Sequence, residues 1–147
     1  MNIILFDDQT RSTLLPLTYT RPIADIRIGI LKISEKWEKI CEAKCSFLSE
    51  QYLQELFPMS VSDDNYFING SLLPTTELVA EIKSLNSGEA LISDDLILAI
   101  RSGKQDGLKN FTDVKIEKSR VTQSKFDRLV FPWDIFSKNE KGLQSDF

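Results

Sequence analysis

The chain has 147 residues, 41% of them hydrophobic, and a formal net charge of −4, which is typical of one folded domain and argues against nucleic-acid binding. It contains no histidine, so Ser-His-Asp and Cys-His nucleophile systems are excluded. A zinc site is disfavoured because only Cys41 and Cys45 offer thiolates, and we expect one buried and one half-buried thiol there. No segment has the pattern of a signal peptide or a membrane span, so we expect a cytoplasmic protein.

The first half of the sequence alternates strand-like and helix-like segments. Residues 2–6 form an unbroken apolar run, which is typical of a strand buried on both faces, and a long polar loop over residues 7–27 follows it. Further strands are predicted at residues 45–48 and 66–68. Helices are predicted at residues 28–44, at residues 50–57 with Ser49 as the N-cap, and after Thr75 or Thr76 as the N-cap. This alternation predicts a parallel sheet with helical crossovers.

The second half has a different rhythm. Residues 90–92 and 96–100 flank a polar turn and predict a β-hairpin, and strand-like runs follow around residues 114–116 and 125–131. We expect Trp133 and Phe136 to anchor a closing segment. We therefore predict an α/β domain over residues 1–136, with a Rossmann-like open, mostly parallel sheet flanked by helices and a small antiparallel portion in its second half. A polar tail at residues 137–147 completes the chain.

The most informative segment is the polar loop that begins after the first strand. Ligands of open α/β sheets bind beyond the carboxyl ends of the strands, which is where this loop lies. Arg11, Arg21 and Arg27 lie within it, and their planar guanidinium groups suit phosphate oxygens. The loop therefore indicates a polyphosphate site. The alternative is that the arginines are solvated, or that they pair with the acidic neighbours Asp7, Asp8 and Asp25.

Two stretches resemble motifs of the bacterial sugar-phosphate nucleotidyltransferases. Thr10-Arg11, Leu15-Pro16-Leu17-Thr18 and Arg21-Pro22 are similar to the family's first loop, G-G-x-G-T-R-L-x-P-L-T-x-x-x-P-K. Residues 67–74, Phe-Ile-Asn-Gly-Ser-Leu-Leu-Pro, are similar to its N-G-D-x-P segment. With the sequence Pro-Trp-Asp-Ile-Phe at 132–136, the chain most resembles a divergent branch that is similar to N-acetylglucosamine-1-phosphate uridyltransferases. In that branch a left-handed β-helix acyltransferase domain follows, so the resemblance implies an N-terminal domain that ends before a missing β-helix.

The resemblance implies a reaction and a set of site residues. The reaction is nucleotidyl transfer from a nucleoside triphosphate, expected to be UTP, to a sugar 1-phosphate, expected to be N-acetylglucosamine 1-phosphate, with Mg²⁺ and release of pyrophosphate. The implied phosphate-holding catalytic residues are Arg11, Arg21 and Arg27. The implied substrate-binding residues are Thr18, Asn69, Gly70 and Ser71. No nucleic acid or membrane is expected as a partner, and a homo-oligomer would form through the missing β-helix.

Three departures from the family pattern leave a second function open. Asp7-Asp8-Gln9 stands in place of the glycines, which let backbone amides approach phosphates closely. Ile23 replaces the family's lysine, and Ser71 replaces its metal-binding aspartate. Asp7 or Asp8 could supply the missing metal ligand, or could serve only the turn. The alternative function is a catalytically degenerate module that binds ligand or supports the assembly of an acyltransferase β-helix.

Overall fold

The computed structural model describes residues 1–104, 108, 111–135 and 137–138. The strands within these residues are β1 (Asn2–Phe6), β2 (Arg27–Ile28), β3 (Leu31–Lys32), β4 (Cys45–Leu48), β5 (Asp64–Asn69), β6 (Leu72–Leu73), β7 (Glu89–Ser93), β8 (Leu96–Gly103), β9 (Lys118–Val121) and β10 (Asp127–Arg128). Three α-helices have both ends within the described residues: α1 (Thr10–Thr13), α2 (Ile33–Cys41) and α3 (Thr76–Lys83). Residues 134–135 and 137–138 are also helical. Short 3₁₀ helices cover Leu17–Tyr19, Ile23–Asp25, Gln51–Leu53 and Phe111–Asp113.

Six of the described strands form one sheet in the order β4-β1-β5-β8-β7-β9. Strand β1 runs parallel to β4 and β5, β8 runs antiparallel to β5 and β7, and β9 runs parallel to β7. The predicted α/β fold, with a mostly parallel sheet and an antiparallel portion in the second half, is therefore confirmed. Two small antiparallel sheets, β2–β3 and β6–β10, lie outside the main one.

The core lies on both faces of the sheet, which explains the unbroken apolar run at the N-terminus. In β1, Ile3 and Leu5 belong to one buried cluster, which also contains Trp37 of α2. Ile4 and Phe6 belong to a second cluster on the other face. Because alternate residues of a strand point to opposite faces, both faces of β1 are covered, and the loop after it starts from a buried strand.

The helix predicted at residues 28–44 is wrong in its first part. Gly29 adopts a φ of 75° in the turn of the β2–β3 hairpin, and this left-handed conformation suits glycine. Helix α2 begins only at Ile33, where the Glu35 carboxylate accepts a hydrogen bond from the Lys32 amide at 2.8 Å. The predicted helix at 50–57 is also wrong: a 3₁₀ turn, Gln51–Leu53, forms instead.

Other local predictions had mixed outcomes. The N-cap role of Thr75 is confirmed, because its hydroxyl accepts a hydrogen bond from the Leu78 amide at 3.2 Å, and the β7–β8 hairpin is confirmed. The strand-like run at 114–116 follows a 3₁₀ turn and is not a strand. Trp133 is not a buried anchor, because 65% of it is exposed while its ring stacks on Phe131.

Several expectations concern side chains and the end of the chain. Both cysteines are half-buried and free, so the expectation that one of them is fully buried is wrong. Burial raises the pKa of both thiols above the usual range. Phe136 lies outside the described residues, as does most of the predicted tail. No helix among the described residues is long and apolar enough to cross a membrane.

Candidate functional site

The carboxyl ends of three parallel strands meet at one edge of the sheet. Phe6 at the end of β1 is paired with Leu48 of β4 on one side and with Asn69 of β5 on the other. The loops that follow these strands therefore start next to one another, as the topology of open α/β sheets requires. A pocket of about 370 Å³ opens at this edge. It is lined by Asp7, Asp8, Gln9, Arg11, Ser12, Leu48, Ser49, Glu50, Gln51 and Phe111.

Arg11 is buried at one wall of this pocket and bonded to the protein on several sides. Its Nη1 donates hydrogen bonds to Asp7 Oδ2 at 2.9 Å and to the Arg21 carbonyl at 3.1 Å. Its Nη2 donates to the Tyr52 hydroxyl at 2.7 Å and to the Thr18 carbonyl. We call this group, Arg11 with Asp7, Thr18, Arg21 and Tyr52, the Arg11 clasp. It ties the first loop to the segment after β4.

Two further residues of that segment complete the surroundings of Arg11. Ser49 Oγ lies 3.4 Å from Nη1, and Glu50 forms an ion pair with Nε at 3.7 Å. The guanidinium therefore contacts protein acceptors on all of its nitrogens. The sequence left open whether the arginines are solvated or pair with acidic neighbours. For Arg11, the structure shows pairing with acidic neighbours.

Asp7 is the buried carboxylate of the clasp. Its Oδ1 accepts a hydrogen bond from the Ile23 amide at 3.0 Å, and its Oδ2 accepts from Arg11 and from the Ser49 hydroxyl. Burial raises the pKa of Asp7 above the usual aspartate range, although Ser49, the Ile23 amide and Arg11 each lower it. Desolvation therefore outweighs three favourable partners at this position.

Asp8 joins the loop after β1 to the loop after β5. Its Oδ1 accepts from the Thr10 amide at 2.9 Å, and its Oδ2 accepts from Asn69 Nδ2 at 2.9 Å. Asn69 Oδ1 in turn accepts from the Ser71 amide at 3.0 Å and from its hydroxyl at 2.7 Å. Arg128 Nη2 lies 3.9 Å from the same Asp8 oxygen. The result is a continuous polar chain along the edge of the sheet.

Gly70 marks a close approach between these two loops. Its amide donates to the Phe6 carbonyl at 2.8 Å. A Cβ at position 70 would lie 3.1 Å from that carbonyl oxygen and 3.3 Å from the Ala24 Cβ. A side chain at position 70 would therefore crowd its neighbours, so the glycine has a packing role whatever it contributes to ligand binding.

The remaining predicted residues have different surroundings. Thr18 is fully buried, and its hydroxyl donates to the Arg11 carbonyl at 2.7 Å. Arg21 is exposed, and its side chain has no hydrogen bond or ion pair within the described part of the chain. Arg27 is exposed on the β2–β3 hairpin, where it donates to the Ile30 carbonyl and pairs with Glu35 at 4.0 Å. The structure thus brings Arg11, Thr18 and the Arg21 backbone together, and neither Arg21 nor Arg27 is among the described residues that line the pocket.

The two aspartates do not fit direct coordination of a divalent ion in this arrangement. Each of their four carboxylate oxygens accepts a hydrogen bond from the protein, and only 5% of the Asp7 side chain and 3% of the Asp8 side chain are exposed. The Ser71 hydroxyl is likewise turned to Asn69. Among the described residues, no group of three or more His, Cys, Asp or Glu side chains is placed to hold a metal ion.

Sequence reasoning missed several residues of the pocket. Ser49, Glu50 and Gln51 follow a strand that the sequence does predict, so the carboxyl-end rule applied to β4 would have found them. Phe111 had no such signal, because it enters the pocket through tertiary packing: its ring stacks on Phe6 with centroids 5.0 Å apart.

Comparisons with known proteins agree with this architecture. Residues 3–147 match the family described as sugar nucleotidyl transferase. A solved structure, named as a glucose-1-phosphate thymidylyltransferase from Bacillus anthracis in complex with sucrose, is similar over 99% of this chain and 96% of that one, with a TM-score of 0.52 and 11% identity. At that identity the likeness concerns the fold alone. No curated protein matches the chain. The chain therefore belongs to the sugar nucleotidyl transferase family, whose members act on a nucleotide and a sugar phosphate and generally use a divalent metal ion.

Proposed function

We propose that this domain transfers a nucleotidyl group from UTP to N-acetylglucosamine 1-phosphate. An oxygen of the sugar phosphate attacks the α-phosphorus, the bond from that phosphorus to the bridging oxygen breaks, and pyrophosphate leaves. The protein contributes positioning and charge neutralisation, with no covalent intermediate. The family gives the general reaction, and the choice of base and sugar rests on the resemblance to the uridyltransferase-like branch. We also propose a cytoplasmic location and no nucleic-acid or membrane partner.

The observation that carries this proposal is the polar pocket at the carboxyl edge of β1 and β4. Its volume of about 370 Å³ lies within the range of small-molecule sites. Gln9, Ser12 and Gln51 offer neutral donors there, and Phe111 adds an apolar wall. A pocket with this lining suits a nucleotide, whose base is planar and whose phosphates need hydrogen-bond donors.

The arginines of the first loop have different roles in this proposal. Because protein acceptors surround the Arg11 guanidinium, we assign Arg11 to positioning and not to direct phosphate contact. Arg21 adjoins the clasp through its backbone and keeps its side chain free of described partners, so it is our candidate for the triphosphate. For Arg27, phosphate binding stays a prediction made from the sequence alone.

The acceptor would lie towards Asn69, Gly70 and Ser71, with Thr18 supporting the loop from behind. Magnesium is the ion that we propose, because it prefers carboxylate and phosphate oxygens. We assign it to the triphosphate oxygens. Asp7 and Asp8 are turned towards protein donors, so we assign no step of the reaction to them.

A second function is favoured by one observation: the donors of Arg11 are already bonded within the protein. If no rearrangement releases them, the domain is a degenerate module that binds a ligand, or that supports assembly of an acyltransferase β-helix and its homo-oligomer. The two functions differ in turnover, so one experiment separates them.

The experiment combines calorimetry with a pyrophosphate-release assay. UTP, ATP and dTTP are titrated with and without Mg²⁺, and turnover is measured with N-acetylglucosamine 1-phosphate and glucose 1-phosphate. We expect metal-dependent, micromolar binding of UTP together with pyrophosphate release. Binding without release would favour the degenerate module, and no binding of any triphosphate at millimolar concentration would contradict the proposal.

Arg21→Gln and Arg27→Gln form a matched pair for this assay, because both arginines are exposed and lie in the segment between β1 and β3. Loss of a charge-assisted hydrogen bond to phosphate in Arg21→Gln should weaken UTP binding about tenfold or more. Arg27→Gln should bind UTP as the unmodified protein does. An equal loss in both variants would restore the sequence-predicted role of Arg27.

A further inference from the structure

A C-terminal segment around the short strand β10 returns to the proposed acceptor side of the site. Strand β10 pairs with β6, so that Arg128 lies opposite Leu72. The Leu129 amide donates to the Ser71 carbonyl at 2.8 Å, and Thr13 donates to the Val130 carbonyl. This segment therefore connects the loop after β1 with the loop after β5, and Arg128 lies where the two meet.

The Arg128 guanidinium has unused hydrogen-bond donors. Its Nη2 donates to the Thr10 hydroxyl and lies 3.9 Å from Asp8 Oδ2. Its Nε is buried and has no hydrogen-bond partner among the described residues, and 21% of the side chain remains exposed. Arg11, by contrast, contacts protein acceptors with every nitrogen. A buried donor without an acceptor is unfavourable, and a shift of this partly exposed side chain would let a phosphate oxygen satisfy it.

The positive charge of Arg128 supplies the acceptor side with a cation that the first loop does not provide. Ile23, which stands where the resembled family has a lysine, is fully buried in the core and supplies no cation. Arg27 lies on the β2–β3 hairpin with partners of its own. Arg128 is in contact with Asp8, which joins it to Asn69 and Ser71. The acceptor side thus has a cation that comes from the far end of the chain.

We propose that Arg128 binds the phosphate group of the sugar 1-phosphate. This inference rests on the proposed function and assigns one residue to its acceptor. A planar guanidinium suits a phosphate monoester, because two parallel N–H donors match two phosphate oxygens. The competing role is purely structural: Arg128 would only compensate the buried charge of Asp8.

The test measures binding of N-acetylglucosamine 1-phosphate by calorimetry, with N-acetylglucosamine, which lacks the phosphate, as the control ligand. Arg128→Gln should weaken binding of the phosphate ester tenfold or more, and Arg128→Lys should fall in between. The matched control is Arg101→Gln, which removes a charge that pairs with Asp64 at the opposite end of β5 and should change the affinity less than twofold.

A double variant separates binding from charge compensation. If Arg128 contacts the phosphate, Asp8→Asn combined with Arg128→Gln stays as weak as Arg128→Gln alone. Recovery of the original affinity in the double variant would overturn the inference. Circular dichroism checks the fold; if Arg128→Gln does not fold, Arg128→Lys decides, with a threefold or greater loss as support and unchanged affinity as refutation.

Failure of the proposed function has a different signature. Unmodified protein that binds no sugar 1-phosphate would contradict both the function and the role of Arg128. Unmodified protein that binds it, together with Arg128→Gln of equal affinity, would overturn only the role of Arg128.

Discussion

Replacement of Arg11 by alanine should destabilise the domain markedly. The Asp7 carboxylate would lose its cation, and the Thr18 carbonyl would lose a buried donor. Only 11% of the Arg11 side chain and 5% of the Asp7 side chain are exposed, so water would replace the lost partners poorly. Removal of one partner of a buried ion pair costs about 3–5 kcal/mol. Because some water reaches Arg11, we expect a loss at the lower end of this range, about 3 kcal/mol. The total free energy of unfolding of a typical domain is roughly 5–15 kcal/mol.

The measurement is urea unfolding followed by circular dichroism and by the fluorescence of Trp37, which is fully buried. Arg27→Ala is the matched control: its partner is Glu35, and the two side chains are 55% and 42% exposed. An ion pair of that kind contributes at most about 1 kcal/mol. If Arg11→Ala loses no more free energy of unfolding than Arg27→Ala, the Arg11 clasp does not stabilise the site as we describe.

Three further predictions follow from single contacts. Because burial raises the pKa of Asp7, the folded state keeps this proton longer than the unfolded state, so the Asp7 contribution to stability falls as pH rises from about 4 towards the folded pKa. Asp7→Asn should lack this fall. Urea unfolding midpoints measured against pH should therefore show a difference between the variant and the unmodified protein that changes as pH rises. Gly70→Ala should lower stability by about 1–3 kcal/mol in thermal unfolding, since its Cβ would crowd the Phe6 carbonyl. Trp37→Phe should cost about 1–3 kcal/mol in urea unfolding, because Nε1 donates to the Leu72 carbonyl at 3.0 Å; equal stability would refute that bond.

The sequence predicts elements well where a strand is buried on both faces or where a helix has a clear N-cap. Strand β1 was predictable because an unbroken apolar run has few other uses, and α3 was predictable because Thr75 is a good N-cap. The start of α2 was not. Over residues 27–32 a helical face and a short hairpin give similar apolar spacing, and the left-handed Gly29 decides between them only in the folded structure.

The candidate site was likewise predictable from the sequence only in part. Its place at the carboxyl edge of the sheet follows from strand order and could be predicted. The direction of the Arg11 side chain could not, because Ser49 and Tyr52 lie about forty residues away and reach it only through the parallel pairing of β1 with β4. Arg128 is farther still, 118 residues from its partner Thr10. Its strand β10 lies within the strand-like run predicted at residues 125–131, but nothing in that run indicates that it pairs with β6.

The loss of the glycines has a physical consequence for phosphate binding. In a Gly-rich loop the backbone amides are free to donate to phosphate oxygens. Here the amides of Thr10 and Ile23 donate instead to the carboxylates of Asp8 and Asp7, so these side chains occupy donors that a phosphate would otherwise use. A phosphate near this loop must therefore displace a carboxylate or bind to a cation elsewhere. The second course requires a guanidinium that can turn towards the ligand: the exposed Arg21 side chain has no partner among the described residues, and Arg128 is partly exposed although its Nε is buried.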